Sequence, residues 1–313
     1  MWAGSHFFVL SRDSREGAIL ALIKMPEAYP SVDVKLENVL VATDFSPASK
    51  EAVLYATAIA RRHKCKLFVA HVVTSRSESA LMDGWRAGQA EITAQILANR
   101  LDGIEHELIV KSGQVGNELS RLIAEKGIDL VVVGTRGRTG VLKALLGSVA
   151  EDIFRRALCP VLTVGPHISG QNPEIGPERI LAATGFAAHS VLGVRYAIGL
   201  AQILHASISL LHVVTEGSEL SPEAKSRMAA ERIGKLRDLI PATVNLASEP
   251  VLLVEFGAAP ERILETAAAW LANLIVLGLR HPKEAPSGRA TWARAYEIVS
   301  KANCPVLTVR GPE

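Results

Sequence analysis

Part of this chain is written twice. Cys159-Pro-Val-Leu-Thr-Val164 returns as Cys304-Pro-Val-Leu-Thr-Val309, 145 residues on. His71-Val-Val-Thr74 returns as His212-Val-Val-Thr215, and Val39-Leu-Val-Ala-Thr-Asp-Phe45 as Ile180-Leu-Ala-Ala-Thr-Gly-Phe186, both 141 residues on. Matches that keep their order and nearly keep their spacing identify two copies of one unit. The 313 residues suit two domains of roughly 150 each. The expected division is an extension over 1–34, a first domain over 35–165, a linker over 166–177 and a second domain over 178–313. The stretch Gly165 to Pro177 holds three Gly and three Pro, which suits a connection.

Each copy alternates apolar runs with helical patterns. In the first, Asn38 to Thr43 reads as a strand. Ser46-Pro47 then reads as an N-cap followed by proline at the first helical position, in a helix to about His63. Strands are expected at Leu67 to Val73, Asp129 to Val133 and Pro160 to Val164, and Glu107 to Val110 reads as part of another. Helices are expected at Ser79 to Leu101, Val115 to Lys126 and Ser148 to Ala157. Continuous apolar strands separated by helices predict an α/β fold with a parallel sheet covered on both faces.

Composition closes off several functions. With 49% hydrophobic and 21% charged residues the chain can bury sizeable cores. Lys plus Arg number 34 against 32 Asp plus Glu, a net +2, which argues against a strongly electrostatic nucleic-acid binder. The three cysteines, Cys65, Cys159 and Cys304, form no Cys-x-x-Cys pair and no Cys/His cluster, so neither a disulfide framework nor a zinc site is expected. The longest apolar stretch, Ala267 to Leu279, is interrupted by Asn273 and is too short to span a membrane. Ala18-Ile-Leu-Ala-Leu-Ile23 is apolar. Arg12, Asp13, Arg15 and Glu16 precede it, Lys24 closes it, and no small-residue cleavage site follows, a poor match to a signal peptide. A poorly ordered extension in a cytoplasmic protein is expected, with Met25 an alternative start.

Ligands of open parallel sheets bind beyond the carboxyl ends of the strands, where the strand order reverses. Asp44 stands just past strand one. Past strand four runs Gly134-Thr-Arg-Gly-Arg-Thr-Gly140, and Gly147-Ser148 opens a helix. Glycines let backbone approach a ligand closely. Amides at a helix start, the helix dipole and the Ser148 hydroxyl suit a phosphate, with Arg136, Arg138 and Lys143 nearby. Asp44 can accept a ribose hydroxyl. A nucleotide follows, phosphates on the glycine loop and sugar at Asp44. The plainer readings are a connecting loop with solvated charges and a helix-start aspartate. His71 and His212 read as strand-end histidines, and Cys159 and Cys304 as small buried residues. No Gly-x4-Gly-Lys-Ser/Thr sequence is present, and Thr43-Asp-Phe-Ser46 occupies the place of a dinucleotide fingerprint.

At these residues both copies resemble universal stress protein domains, over about Lys35 to Arg310. Gly134, Gly137, Gly147 and Ser148 match that family's ATP signature Gly-x2-Gly-x9-Gly-Ser/Thr at every spacing. The resemblance implies two tandem doubly wound domains, each with a five-stranded parallel sheet of order 3-2-1-4-5. It implies ATP at the first copy: Asp44 on the nucleoside, Val72 meeting adenine through its backbone, and Ala42 lining that pocket. Val133, Gly134, Arg136, Gly137, Gly147, Ser148 and Val149 would surround ribose and phosphates. A Mg2+ ion on the phosphates is compatible, although no protein ligand for it is evident. The second copy departs from the pattern. Gly185 replaces Asp44, no glycine follows Gly278 at three positions, and Trp292-Ala293 aligns with Gly147-Ser148. That copy is expected to keep the fold and to lack the nucleotide.

Universal stress proteins commonly pair strand five across a twofold axis, and an exposed strand edge needs cover. Val161 to Val164 can pair with Val306 to Val309 within one chain, as a pseudo-dimer, or between chains, as a homodimer. A nucleotide-dependent stress or signalling protein with an unidentified protein partner is the expectation. The alternatives are a slow ATPase or self-phosphorylation on Ser148, Thr135 or Thr139, and an interaction module that needs no nucleotide.

Overall fold

The computed structural model describes residues 34–74, 78–98, 101, 103–135, 150–153, 157, 159–168, 173, 176–216, 220–280 and 289–310. Readings that fall on the other residues, the extension over 1–33 among them, lie outside the described residues. The chain divides into two compact units. One comprises Lys35–Pro177 with Arg280–Glu313; the other contains Glu178–Leu279. The last helix and strand of the second copy thus belong to the unit built on the first.

In the first unit the order is β1 (Asn38–Ala42), α1 (Pro47–His63), β2 (Lys66–Val73), α2 (Glu78–Ala98), β3 (His106–Ser112), α3 (Val115–Glu125), β4 (Leu130–Gly134) and β5 (Val161–Val164). Residues 150–153 are helical. The strands run in the order β3-β2-β1-β4-β5, and every pairing among them is parallel. Val39, Leu40 and Val41 of the central strand are completely buried. Helices on both faces exclude water from such a strand, which is why it carries no polar alternation.

Local chemistry sets the element ends. Ser46 accepts from the Ser49 N–H at 3.3 Å, and Pro47 follows where its missing N–H costs nothing. Lys64 closes α1 in the left-handed region, its N–H donating to Ala60 O. Ala52, Val53, Ala56 and Ala60 form the buried face, and their small size lets α1 lie close to the sheet. β3 contains Glu107 to Val110, read from the sequence as part of the strand, and runs on to both sides of it. Its ends are exposed and polar, so an apolar run shows only its middle.

The second unit holds β6 (Arg179–Ala183), α4 (Ala188–Leu204), β7 (Ser207–Val214), α5 (Pro222–Asp238), β8 (Val251–Phe256), α6 (Ala259–Ala269) and β9 (Leu274–Gly278). Its strands are parallel in the order β8-β7-β6-β9, the same winding as β3-β2-β1-β4. α7 (Arg289–Lys301) and β10 (Val306–Val309) complete the second copy and lie in the first unit. There β10 pairs with β5 antiparallel, Leu307 opposite Leu162. The strand-five edge is therefore covered within the chain.

Candidate functional site

The strand order reverses at β1. β1 pairs with β2 on one side and β4 on the other, with Val41 opposite Val132. The next residues, Ala42 and Val133, therefore stand at adjoining strand ends, followed by Asp44 and Gly134. Ala42 and Val133 are buried and Asp44 is half-buried. β2 runs past the end of β1. The β1 register closes at Ala42 opposite Ala70, whereas β2 continues to Val72 and Val73 against β3. The structure thus brings Ala42, Asp44, Val72, Val133 and Gly134 to one end of the sheet. Arg136, Gly137, Gly147, Ser148 and Val149 lie outside the described residues, as do Arg138, Thr139 and Lys143.

The turn after β1 is tightly built. Thr43 continues the ladder, its N–H donating to Ala70 O at 2.9 Å. Its hydroxyl donates to Ser49 Oγ at 3.2 Å and accepts from the Phe45 N–H at 3.1 Å. Phe45 sits at φ +66°, which an aromatic residue adopts only when its surroundings hold it there. The His71 ring does so. Its centroid lies 4.4 Å from that of Phe45, and its Nδ1 bonds Thr43 O at 2.8 Å. This sharp turn places Asp44 just past the carboxyl end of β1. One carboxylate oxygen accepts from the Ser46 N–H at 3.1 Å, which orients the side chain.

Gly134 has a structural reason of its own. A Cβ there would run into Ala48 O and lie 2.5 Å from Ala48 C and 2.9 Å from Ser49 N. α1 starts hard against the end of β4, and only glycine permits it. The next residue, Thr135, extends the β4–β5 ladder through its N–H to Val164 O at 3.1 Å. Its side chain is fully buried, and its hydroxyl has no hydrogen-bond partner among the described residues.

The second copy repeats the scaffold and drops the polar fittings. Thr184, Phe186, Ser190 and His212 reproduce the turn: Phe186 lies at φ +63° and its ring 4.4 Å from that of His212, which bonds Thr184 O at 2.8 Å. Gly278 repeats Gly134, a Cβ there running into His189 O and lying 2.6 Å from Ser190 Cα. Gly185 takes the place of Asp44, and its N–H donates to Ser190 Oγ at 3.2 Å. Ala187 takes the place of Ser46 and caps α4 with no side-chain bond. Trp292 falls in the first turn of α7, where its backbone belongs to the helix.

The histidines are thus turn supports. Burial lowers the His212 pKa, with Arg232 and Lys235 adding to the effect and the Thr184 carbonyl opposing it. Cys304 is buried as expected, whereas Cys159 is only half-buried. Burial still pushes the Cys159 thiol up to about 12, which holds it in the unreactive form. Among the described residues no group of three or more His, Cys, Asp or Glu could hold a metal ion, and no helix is long and apolar enough to cross a membrane. Sequence reasoning missed the Thr43–Phe45–His71 support. The signal was present, since all three residues recur in the second copy while Asp44 does not.

The model of the universal stress protein family matches residues 35–165 and again 177–310. The chain belongs to the universal stress protein family. Among curated relatives, it is similar to the universal stress protein YxiE of Bacillus subtilis, 31% identical over 144 residues. That match covers 41% of this chain and 97% of the relative. It is 29% identical over 141 residues to the universal stress protein MJ0531 of Methanocaldococcus jannaschii, covering 41% of this chain and 81% of that protein. Each alignment accounts for less than half of this chain. Among solved structures, a universal stress protein from Archaeoglobus fulgidus has the same fold along most of the chain. Its TM-score is 0.62 at 21% identity, over 87% of this chain and 98% of that one.

Proposed function

We propose that this universal stress protein binds ATP in its first copy only, and acts as a nucleotide-dependent stress-response or signalling protein. The observation that carries the reading is the difference between two matching turns. The first copy sets Asp44 and Ser46 at the switch point of the sheet, where the second has Gly185 and Ala187 on an otherwise repeated scaffold. A carboxylate at that strand end suits a ribose, and the backbone of β2 at Val72 suits an adenine edge. The sequence from Gly134 to Ser148 supplies the amides for phosphates. Mg2+ would enter with the phosphates, since the described residues offer no cluster of metal ligands. Three free thiols suit the reducing cytoplasm. The β5–β10 pair is read as the chain's own counterpart of a two-subunit contact. Bound nucleotide would act by shifting the affinity for a protein partner.

Calorimetric titration of the full chain with ATP tests this. Gly137→Val and Gly147→Val are expected to abolish binding with an unchanged circular dichroism spectrum, and Trp292→Ala to leave affinity as it was. Unchanged affinity in both glycine variants would remove the site from the first copy. Phosphate release above that of Gly147→Val would replace binding with catalysis.

A further inference from the structure

β5 and β10 have the same sequence, Val-Leu-Thr-Val. They pair about Leu162 and Leu307, with Val161 opposite Thr308 and Thr163 opposite Val306. Leu162 and Leu307 are equivalent positions of the two copies, 145 residues apart. The pair is therefore symmetric in sequence and in register. Nothing in the strands themselves distinguishes β5 with β10 from β10 with the β10 of a second chain.

The residues just past the strands do distinguish them. Position 165 is glycine and its equivalent, position 310, is arginine. Each faces the end of the helix that precedes the other strand. Arg310 is buried, and its Nη1 donates to Ala157 O at 3.4 Å. Ala157 comes after the helical residues 150–153, and its N–H donates to Ile153 O at 2.8 Å. A guanidinium suits the unpaired carbonyls and negative dipole of a helix end. At the other end, Gly165 lies against α7. A Cβ there would stand 3.2 Å from Val299 O and 3.6 Å from Ala302 O, which leaves little room for a side chain. Ala157 and Ala302 are again equivalents, 145 apart, so the two ends correspond and differ in their fittings.

We propose that Arg310 and Gly165 are complementary end fittings that commit the strand-five edge to its own chain and select against pairing of like strands between two copies. Pairing β10 with β10 would bring two arginines to the close-packed ends of two α7 helices. Pairing β5 with β5 would leave two helix ends facing glycine, each without its guanidinium. Only the mixed pair gives each end what it accommodates. The occupant of this edge is β10 of the same chain; a second copy is the partner turned away.

A full-length chain carrying Leu307→Cys reports the choice. In the β5–β10 pair the new thiol faces Leu162; between two β10 strands it faces its own equivalent and can form an interchain disulfide under mild oxidation. Chains without Leu307→Cys give the background. With Arg310 in place, Leu307→Cys is expected to add no disulfide-linked dimer above that background, and combining it with Arg310→Gly is expected to produce one. Arg310→Lys, which keeps the charge, is expected to suppress it again. Gly165→Arg is expected to lower Tm by about 3 °C or more, since roughly 2 kcal/mol moves a chain of this size by that order. Gly165→Ala is expected to give a smaller drop in the same direction. Equal cross-linking with and without Arg310→Gly, whether both chains link or neither does, would overturn the proposal. So would an unchanged Tm in Gly165→Arg and Gly165→Ala.

Discussion

The turns after β1 and β6 are the same device in two states. Both hold a phenylalanine at positive φ against a histidine, with a threonine hydroxyl closing the turn and a glycine at the neighbouring strand end. They differ at two positions, Asp44 against Gly185 and Ser46 against Ala187. What both keep is what the fold requires. Of what only one keeps, Ser46 is a buried cap of α1, whereas Asp44 is half-buried at the strand end. The separation matters because Gly134 belongs to the ATP signature and yet recurs as Gly278 beside a turn without the aspartate. The first glycine of the signature is held by packing of a helix start against a strand end, so by itself it says nothing about nucleotide.

The largest expected effect is therefore shared by both copies. Gly134→Ala and Gly278→Ala should each destabilise by about 2 kcal/mol or more, because the methyl meets backbone rather than a flexible side chain. Denaturant unfolding with probes in each unit measures it. A mild effect at one position alone would break the equivalence of the two turns. Next comes the polar difference. Asp44→Ala should weaken ATP binding by about 1–3 kcal/mol, the cost of leaving a hydrogen-bonding partner unsatisfied. Gly185→Asp should create no second site, because Trp292 remains in the first turn of α7. A second site appearing on titration would show that one carboxylate is all the second copy lacks.

Some of this was legible in the sequence. The repeat, the alternation of strands and helices and the N-cap at Ser46 followed from residue types whose local chemistry is strong. The strand order came with the family resemblance. The positive φ of Phe45 was not legible, because an aromatic residue has no preference for that region and is held there by His71, far along the chain. The packing role of Gly134 was hidden for a similar reason, since it depends on where Ala48 lies. The partner of strand five stayed open because β5 and β10 are identical in sequence. Their flanking residues differ, but which helix end each one faces is visible only in three dimensions.

Smaller effects sharpen the comparison. Ser46→Ala should cost about 1 kcal/mol by removing the side-chain cap of α1. Ala187→Ser should gain a similar amount at α4, where no side chain caps the helix. Thermal melts of the two variants should move in opposite directions. The smallest effect is on acid sensitivity. The His212 pKa is lowered in the folded state. The unfolded chain therefore takes up its proton first, and stability falls as pH drops through the ordinary histidine value near 6.5 and on to the lower folded one. His212→Gln should flatten the pH dependence of Tm in that window. An unaltered slope would mean that the ring stays solvated in the second turn.

The most direct measurement is the nucleotide content of the chain. Protein saturated with ATP, freed of excess and then denatured should release about one adenine nucleotide per chain, as expected for one equipped turn and one bare one. Two per chain, or none, would contradict the account.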